Sequence, residues 1–243
     1  MKFALVDIRI NPECEVSLKA LGYDIIKLPP FSRLPTPLAS HPDMLLHKCE
    51  DCLITSRAYY EENKAIFNRL EEEGEIRLAI SDECPTDKYP FDAIFNALPI
   101  ENGVLLRRSS ASRDIIKHYE KGARSIINTN QGYPACTALY LGANHIITSD
   151  SGIKRSAENY GIRVTLIENG DISLPPYEYG FIGGASGVDE KTVFFFGDIK
   201  SHRSYEKIAN AINECGLSYI SLGAFGLVDL GGIVFIPKKS KHH

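Results

Sequence analysis

One cysteine, one histidine and a few isolated carboxylates stand among apolar or turn-forming neighbours, and these placements could support chemistry. Cys136 follows Gln131-Gly132-Tyr133-Pro134-Ala135 and precedes Thr137-Ala138-Leu139-Tyr140, a polar turn ahead of an apolar strand. A thiol in that setting is either a small buried hydrophobe or a nucleophile touching a ligand. His41 and Asp43 lie two apart in Ser40-His41-Pro42-Asp43. In extended chain they share one face, where the acid orients the imidazole and raises its pKa. The alternative is a cap at a strand start, with His41 at the surface. Asp229, between Val228 and Leu230, is a cation-holding acid or a turn acid. Asn96 interrupts the apolar run Ala93-Ile94-Phe95, which suits an amide facing polar contents. Gln131 can donate or accept toward a ligand or within its own turn. Gly184 and Ser186, in Gly183-Gly184-Ala185-Ser186-Gly187, permit close backbone approach and free N–H groups for an anion. No helix follows, so this is no dinucleotide-binding loop, and a glycine-rich hairpin is the plain alternative.

A metal grouping would draw on His41, Asp43, His47 and Cys49, which share parity, and on the pair in Cys49-Glu50-Asp51-Cys52. No second Cys/His pair stands at zinc-site spacing, and strand residues spread from His41 to Cys49 cannot meet at one ion. No metal and no cofactor are expected, and the two cysteines should face each other as thiols across a hairpin. Cys215, ending a helix beside Gly216, is expected to be a packing residue, and Cys14 and Cys84 carry no functional signal. Composition removes whole classes. Among 243 residues, 31 acids against 27 bases give a net charge of −4, with no basic excess for a nucleic acid. No apolar run nears the roughly 20 residues that span a bilayer. Asp7 arrives too early for a signal peptide's apolar stretch, and six cysteines without an export signal fit reduced thiols. A cytoplasmic protein, with no nucleic-acid or membrane partner, is expected; the sequence does not fix the oligomeric state.

The elements that must position these residues repeat. Five segments have the pattern of β-hairpins: Asp43–Ser56, Asp92–Arg108, Cys136–Asp150, Phe181–Asp198 and Ala224–Lys238. Their starts are separated by 49, 44, 45 and 43 residues. Four are followed by a helical pattern, about Ala58–Glu73, Ser112–Gly122, Ile153–Tyr160 and His202–Cys215, and then by a third strand. Gly74, Gly122, Gly161 and Gly216 follow these helices, where a glycine can take a left-handed conformation. The N-terminus supplies a strand, the helix Pro12–Leu21 and the strand from Tyr23, without a hairpin before them. The last hairpin has no helix after it. Each end supplies what the other lacks, so a ring closed by residues 1–28 is the economical architecture. A doubly wound α/β sheet is the alternative, but it would not place two strands between successive helices.

Four stretches carry a resemblance: Ser40-His41-Pro42-Asp43, Gln131-Gly132-Tyr133-Pro134-Ala135-Cys136, Ile146-Ile147-Thr148-Ser149-Asp150-Ser151-Gly152-Ile153, and Gly180-Phe181-Ile182-Gly183-Gly184-Ala185-Ser186-Gly187. With the five units, they make the chain similar to the guanidino-group-modifying superfamily, or penteins, and within it to an uncharacterised family. The resemblance implies a five-bladed α/β propeller of strand–strand–helix–strand units around a central channel, one domain over residues 1–243. Members of the superfamily attack a guanidinium carbon with a cysteine, move protons with a histidine and hold the cation with two carboxylates. The present chain departs from that pattern. Gly223-Ala224-Phe225-Gly226-Leu227-Val228-Asp229 in the fifth unit has no cysteine, and the third unit carries Cys136 where a histidine is expected. The implied reading is a central pocket for a small polar, guanidino- or amino-bearing metabolite. In an amidinotransferase-like or hydrolase-like reaction, Cys136 would be the nucleophile, His41 the proton carrier, and Asp43 with Asp229 the cation holders. Asn96, Gln131, Gly184 and Ser186 would contact the substrate. The alternative is a non-catalytic interaction module resembling ribosome anti-association factors.

Overall fold

Alternation of short buried strands with amphipathic helices builds five three-stranded sheets, each backed by helix, in the computed structural model, which describes residues 1–240. Of the basic tail Lys238, Lys239, Lys241, His242 and His243, expected to be solvated, the last three lie outside the described residues, and Lys238 is instead paired with Asp24 and Glu73 at 2.9 and 2.7 Å. The chain opens with β1 (Lys2–Asp7), α1 (Pro12–Ala20) and β2 (Tyr23–Leu28). The first full unit is α2 (Pro42–Leu45), β3 (Leu46–Lys48), β4 (Cys52–Ser56), α3 (Arg57–Glu62), α4 (Lys64–Glu73) and β5 (Arg77–Ser81). The second is β6 (Leu98–Ile100), β7 (Gly103–Leu106), α5 (Arg113–Lys121) and β8 (Ser125–Asn128). The third is α6 (Pro134–Thr137), β9 (Ala138–Tyr140), β10 (His145–Thr148), α7 (Ser151–Glu158) and β11 (Arg163–Leu166). The fourth is β12 (Ser186–Asp189), β13 (Thr192–Phe195), α8 (Tyr205–Glu214) and β14 (Ser218–Ser221), and β15 (Val234–Pro237) ends the series.

In every sheet the first strand pairs antiparallel with the middle one, and the helix crossover lays the third strand parallel to it, as in β3–β4–β5 with Leu46 opposite Thr55 and Cys52 opposite Arg77. The middle strands β4, β7 and β10 are buried along their whole length because helix covers one face and the next unit the other. Helix α5 shows the local logic. Ser112 caps it by accepting from the Asp114 N–H, and Ile115 and Tyr119, four residues apart, are buried on the sheet-facing side. A fully buried side chain of this size contributes about 1.5–3 kcal/mol. Among the described residues, no helix is long and apolar enough to cross a membrane.

The two ends of the chain pair with each other, and the fifth hairpin is a correction. Leu227–Leu230 has a strand-like pattern yet forms no strand beside β15; β15 pairs antiparallel with β1 instead, Lys2 opposite Pro237 and Leu5 opposite Val234. The two chain ends therefore supply the first and middle strands of the fifth sheet, with α1 and β2 completing it. A second correction concerns strand starts. Residues 42–45 and 134–137 are helical turns opened by Pro42 and Pro134, not extended chain, because proline at the first helical position is pre-set for that φ. The first long helix breaks at Asn63 into α3 and α4. Gly161 and Gly216 do take positive φ, whereas Gly74 and Gly122 do not, and Ala123 takes it after α5.

Candidate functional site

Five segments that each precede a first strand meet at the hub, and they carry Asp43, Asn96, Cys136, Gly184 and Asp229. Hydrogen bonds join them in a closed circle. The Asp43 N–H donates to the Gly231 carbonyl at 3.1 Å, Gly232 N–H to the Gly184 carbonyl at 2.8 Å, and Gly184 N–H to the Cys136 carbonyl at 2.9 Å. Cys136 and Ala135 N–H groups donate to Asn96 Oδ1 at 3.3 and 2.9 Å, and Asn96 Nδ2 faces Met44 Sδ at 3.6 Å. Each unit thus donates to the preceding one, which fixes the hub side chains by backbone. Gly231 makes this possible at the first turn. Its φ is +71°, and a Cβ there would stand 2.3 Å from the His41 Cβ.

His41 and Asp43 do not share an extended face. His41 precedes α2 with extended backbone and Asp43 lies within that turn, so the expected two-residue alternation is replaced by a helical offset. His41 is completely buried rather than at the surface. Its Nε2 is 3.8 Å from Asp7 Oδ2 and its Nδ1 3.9 Å from Asp229 Oδ1, and neither ring nitrogen has a hydrogen-bond partner. Burial lowers its pKa, with the two carboxylates only partly opposing, so the imidazole is neutral at pH 7. Cys136 Sγ donates to Asp229 Oδ2 at 3.1 Å. Burial first, then Asp229 and Asp43, hold this thiol well above its ordinary pKa. The thiol is therefore hydrogen-bonded to one oxygen of Asp229, while the imidazole stands 3.9 Å from the other without a bond.

Asp229 is 1% exposed and its remaining acceptor capacity is used by the Phe181 N–H at 2.9 Å and the Gly231 N–H at 3.0 Å. Asp43 differs. Both its carboxylate oxygens are buried without a hydrogen-bond partner, although the residue as a whole is not fully enclosed. Burial, and then the Asp229 charge, push its pKa up to about 8. The Asn96 amide and Cys136 thiol offset part of that shift without making a well-formed bond. Asp43 also separates two cavities. One, of about 400 Å³, is lined by His41, Asp43, Gln131, Tyr133, Cys136 and Phe181, with Tyr89 and Tyr177 at its exposed rim. The other, of about 430 Å³, opens between the first strands and is lined by Asp43, Leu46, Lys48, Ser186, Val188 and Phe235.

The remaining sequence candidates fall into place as follows. Gln131 reaches the first cavity, but its Oε1 is occupied by its own turn, accepting from the Gly132 N–H at 2.8 Å. Asn96 holds the Cys136 turn and lies outside an apolar strand, since residues 93–97 form no strand and the first strand of this unit begins at Leu98. The expectation that Gly184 offers a free N–H is corrected: that N–H is spent on the Cys136 carbonyl. Its missing side chain instead makes room for Asp229, whose Oδ1 would lie 2.0 Å from a Cβ. Ser186 Oγ donates to the Ile182 carbonyl at 2.7 Å and lines only the opposite cavity. The grouping from His41 to Cys49 does not form, because His47 turns to the Tyr119 hydroxyl at 3.1 Å. Two hub residues escaped the sequence reading. Asp7, fully buried at the end of β1, is gripped by Arg9 through both oxygens, at 2.9 and 2.5 Å, and by the Arg9 N–H at 2.7 Å. A charged residue closing the apolar four-residue run Phe3–Val6 was the available signal. Tyr133, whose hydroxyl donates to Asp92 Oδ2 at 2.6 Å, forms a wall of the cavity. Among the described residues, the hub thus gathers the carboxyl groups of Asp7, Asp43 and Asp229 near one guanidinium, that of Arg9, and a cationic guest beside Asp43 would favour its ionised form. Such a site favours a positively charged guest, with a thiol and a neutral imidazole beside it.

A family model described as a family of unknown function (DUF6873) matches residues 5–234. A search of curated proteins finds no match. Solved structures align over nearly the whole chain. DDAH from Pseudomonas aeruginosa, as a mutant complexed with citrulline, is 13% identical with a TM-score of 0.56, covering 90% of each chain. C. jejuni agmatine deiminase is 10% identical with a TM-score of 0.55, covering 91% of this chain and 87% of its own. SxtG, an amidinotransferase from Microseira wollei in the saxitoxin biosynthetic pathway, is 13% identical with a TM-score of 0.55 over 94% of both chains. At these identities the likeness establishes the fold alone, the five-unit pentein architecture.

Proposed function

We propose, from the premise that the chain belongs to the DUF6873 family of unknown function, that its hub binds a small cationic guanidino- or amino-bearing metabolite and attacks a guanidino carbon through Cys136. The carrying observation is the Asp43 carboxylate: buried, unpartnered, and facing the same cavity as His41 and Cys136. An isolated buried carboxylate is costly, and a bound cation removes that cost by direct pairing. The same cation, set between Asp43 and Asp229, lowers the thiol pKa that these two acids raise.

The chemistry then follows. The Cys136 proton passes to the Asp229–His41 pair as the sulfur electron pair forms a bond to the guanidinium carbon. The tetrahedral species collapses by breaking a C–N bond, and the leaving amine carries off that proton, delivered by His41. What remains on sulfur is an amidinium cation paired with Asp43. Water, or a second amine, then displaces Cys136, giving hydrolysis or transfer. The solved structures of the same fold include a dimethylarginine hydrolase, an agmatine deiminase and an amidinotransferase, which supports this class of reaction. Six free cysteines suit a reducing compartment, and the cytoplasm is the proposed location.

The test compares two alkylating agents of nearly equal size, cationic 2-chloroacetamidine and neutral 2-chloroacetamide, with mass-spectrometric mapping. The expected result is faster labelling of Cys136 by the amidine, with Cys84 and Cys215 spared. Equal rates for both agents, or labelling that favours Cys215, overturns the proposal.

A further inference from the structure

We propose that Cys49, Cys52 and His118 form a zinc site that clamps the first unit to the second. The site lies outside the hub and does not depend on the function proposed for it. Cys49 and Cys52 flank the turn between β3 and β4, which closes with the Cys49 N–H donating to the Cys52 carbonyl at 2.8 Å. Both are buried. His118 comes from the last turn of α5, in the neighbouring unit. One ligand atom from each of the three lies within 4.8 Å of the other two, and Cys52 Sγ is 3.8 Å from His118 Nδ1. In a tetrahedral zinc centre, with Zn–S about 2.3 Å and Zn–N about 2.0–2.1 Å, neighbouring donor atoms are about 3.5–3.8 Å apart. The trio therefore closes on one ion with small side-chain shifts.

Other contacts leave these donors available. The second ring nitrogen of His118, Nε2, is buried without a hydrogen-bond partner, so no other polar group in the described fold holds this ring. Glu50 is engaged by Arg124 at 3.0 Å and Asp51 by Arg77 at 3.6 Å, which turns the carboxylates of the turn outward to cations. Two thiolates and an imidazole suit zinc rather than magnesium or calcium, and they balance its charge. Water completes the coordination as a fourth ligand. Bound there, zinc ties the β3–β4 turn to α5 and resists opening of the seam between two units. Because the thiols must be deprotonated to bind, loading releases protons and weakens as pH falls.

Full-length protein, stripped with a chelator under a non-thiol reductant, is titrated with cobalt(II) and then zinc(II). The expected result is one cobalt per chain with a thiolate-to-cobalt charge-transfer band, displaced by zinc. Loss of a ligand should weaken binding by more than the roughly 10–100-fold typical of an outer-sphere partner, in Cys49→Ser, Cys52→Ser and His118→Asn alike. Cys84→Ser should keep the band. In unmutated protein, zinc should slow alkylation of Cys49 and Cys52. Absence of the band in folded protein, its survival in Cys52→Ser, or alkylation unaffected by zinc overturns the site.

Discussion

Two adjoining turns of the hub each contribute an aspartate and treat it in opposite ways. The turn before β15 surrounds Asp229 with donors: the Phe181 and Gly231 N–H groups and the Cys136 thiol, at 2.9, 3.0 and 3.1 Å. The turn before β3 buries both Asp43 oxygens and gives them no partner. A carboxylate whose acceptors are filled by its own fold organises that fold, as Asp229 does by tying three segments together. A carboxylate buried with its acceptors open is held in readiness for something from outside, since natural structures rarely leave such a group without reason. His41 stands between the two kinds, flanked by Asp7 and Asp229 at 3.8 and 3.9 Å yet hydrogen-bonded to neither.

The largest effect should come from the open acid. Asp43 titrates at about 8 in the folded chain against 3.8 for the ordinary group. Its protonated form favours the folded state, a contribution fully present below pH 3.8 and lost progressively until pH passes about 8. The slope approaches about 1.4 kcal/mol per pH unit in that window. Asp43→Asn carries no proton to lose. Urea unfolding at pH 5 and pH 8 should therefore show the unmutated chain losing several kcal/mol more than the variant, with the variant the more stable at pH 8. The same variant should lose the preference of Cys136 for chloroacetamidine over chloroacetamide. Parallel pH profiles would mean that Asp43 is paired in solution, and the contrast with Asp229 would fail.

A smaller loss, of opposite sign, is expected at the filled acid. Asp229→Asn keeps the shape but turns an amide N–H₂ toward one of two buried backbone donors, stranding it. An unsatisfied buried donor and the lost charged hydrogen bonds together cost about 3 kcal/mol. Denaturation midpoints at pH 7 should fall in this variant. An unchanged midpoint would show that the donors around Asp229 contribute nothing to holding the turns together.

These two acids also mark where the sequence was legible. The fold could be read because each unit repeats a hairpin, a helix and a strand at a spacing of 43 to 49 residues, and burial follows apolar pattern. Pairing partners could not be read as well. The segment Ala224–Leu230 is largely apolar and lies before a Gly-Gly turn, as a first hairpin strand would, yet the neighbour available to β15 is β1 from the other end of the chain, and local pattern does not say which strands meet. Four-residue turns such as Pro42–Leu45 are too short to show helical period, so only their leading prolines betrayed them. Asp43, Cys136 and Asp229 stood out as polar groups beside apolar runs. Asp7 was masked by its place at a strand end. His118 lies 66 residues from Cys52, on a helix whose apolar stripe points elsewhere, and no ligand-spacing rule spans that distance.

The smallest effect tests whether the reactive side of the hub is only one of its two mouths. Ser186 lines the opposite cavity, and its hydroxyl donates to the Ile182 carbonyl at 2.7 Å. Ser186→Ala removes one neutral hydrogen bond and leaves a carbonyl with fewer donors, for a loss of about 1 kcal/mol. Asp43 lines both cavities, so a guest entering from either side could in principle reach it. Cys136 and His41, however, open only toward the tyrosine-rimmed cavity. Amidine labelling of Cys136 should therefore proceed in Ser186→Ala at the unmutated rate, despite the lower denaturation midpoint. A rate that changes with Ser186 while the fold is intact would place the guest across Asp43, in contact with both cavities, and would make the open carboxylate a bridge between them rather than the floor of one.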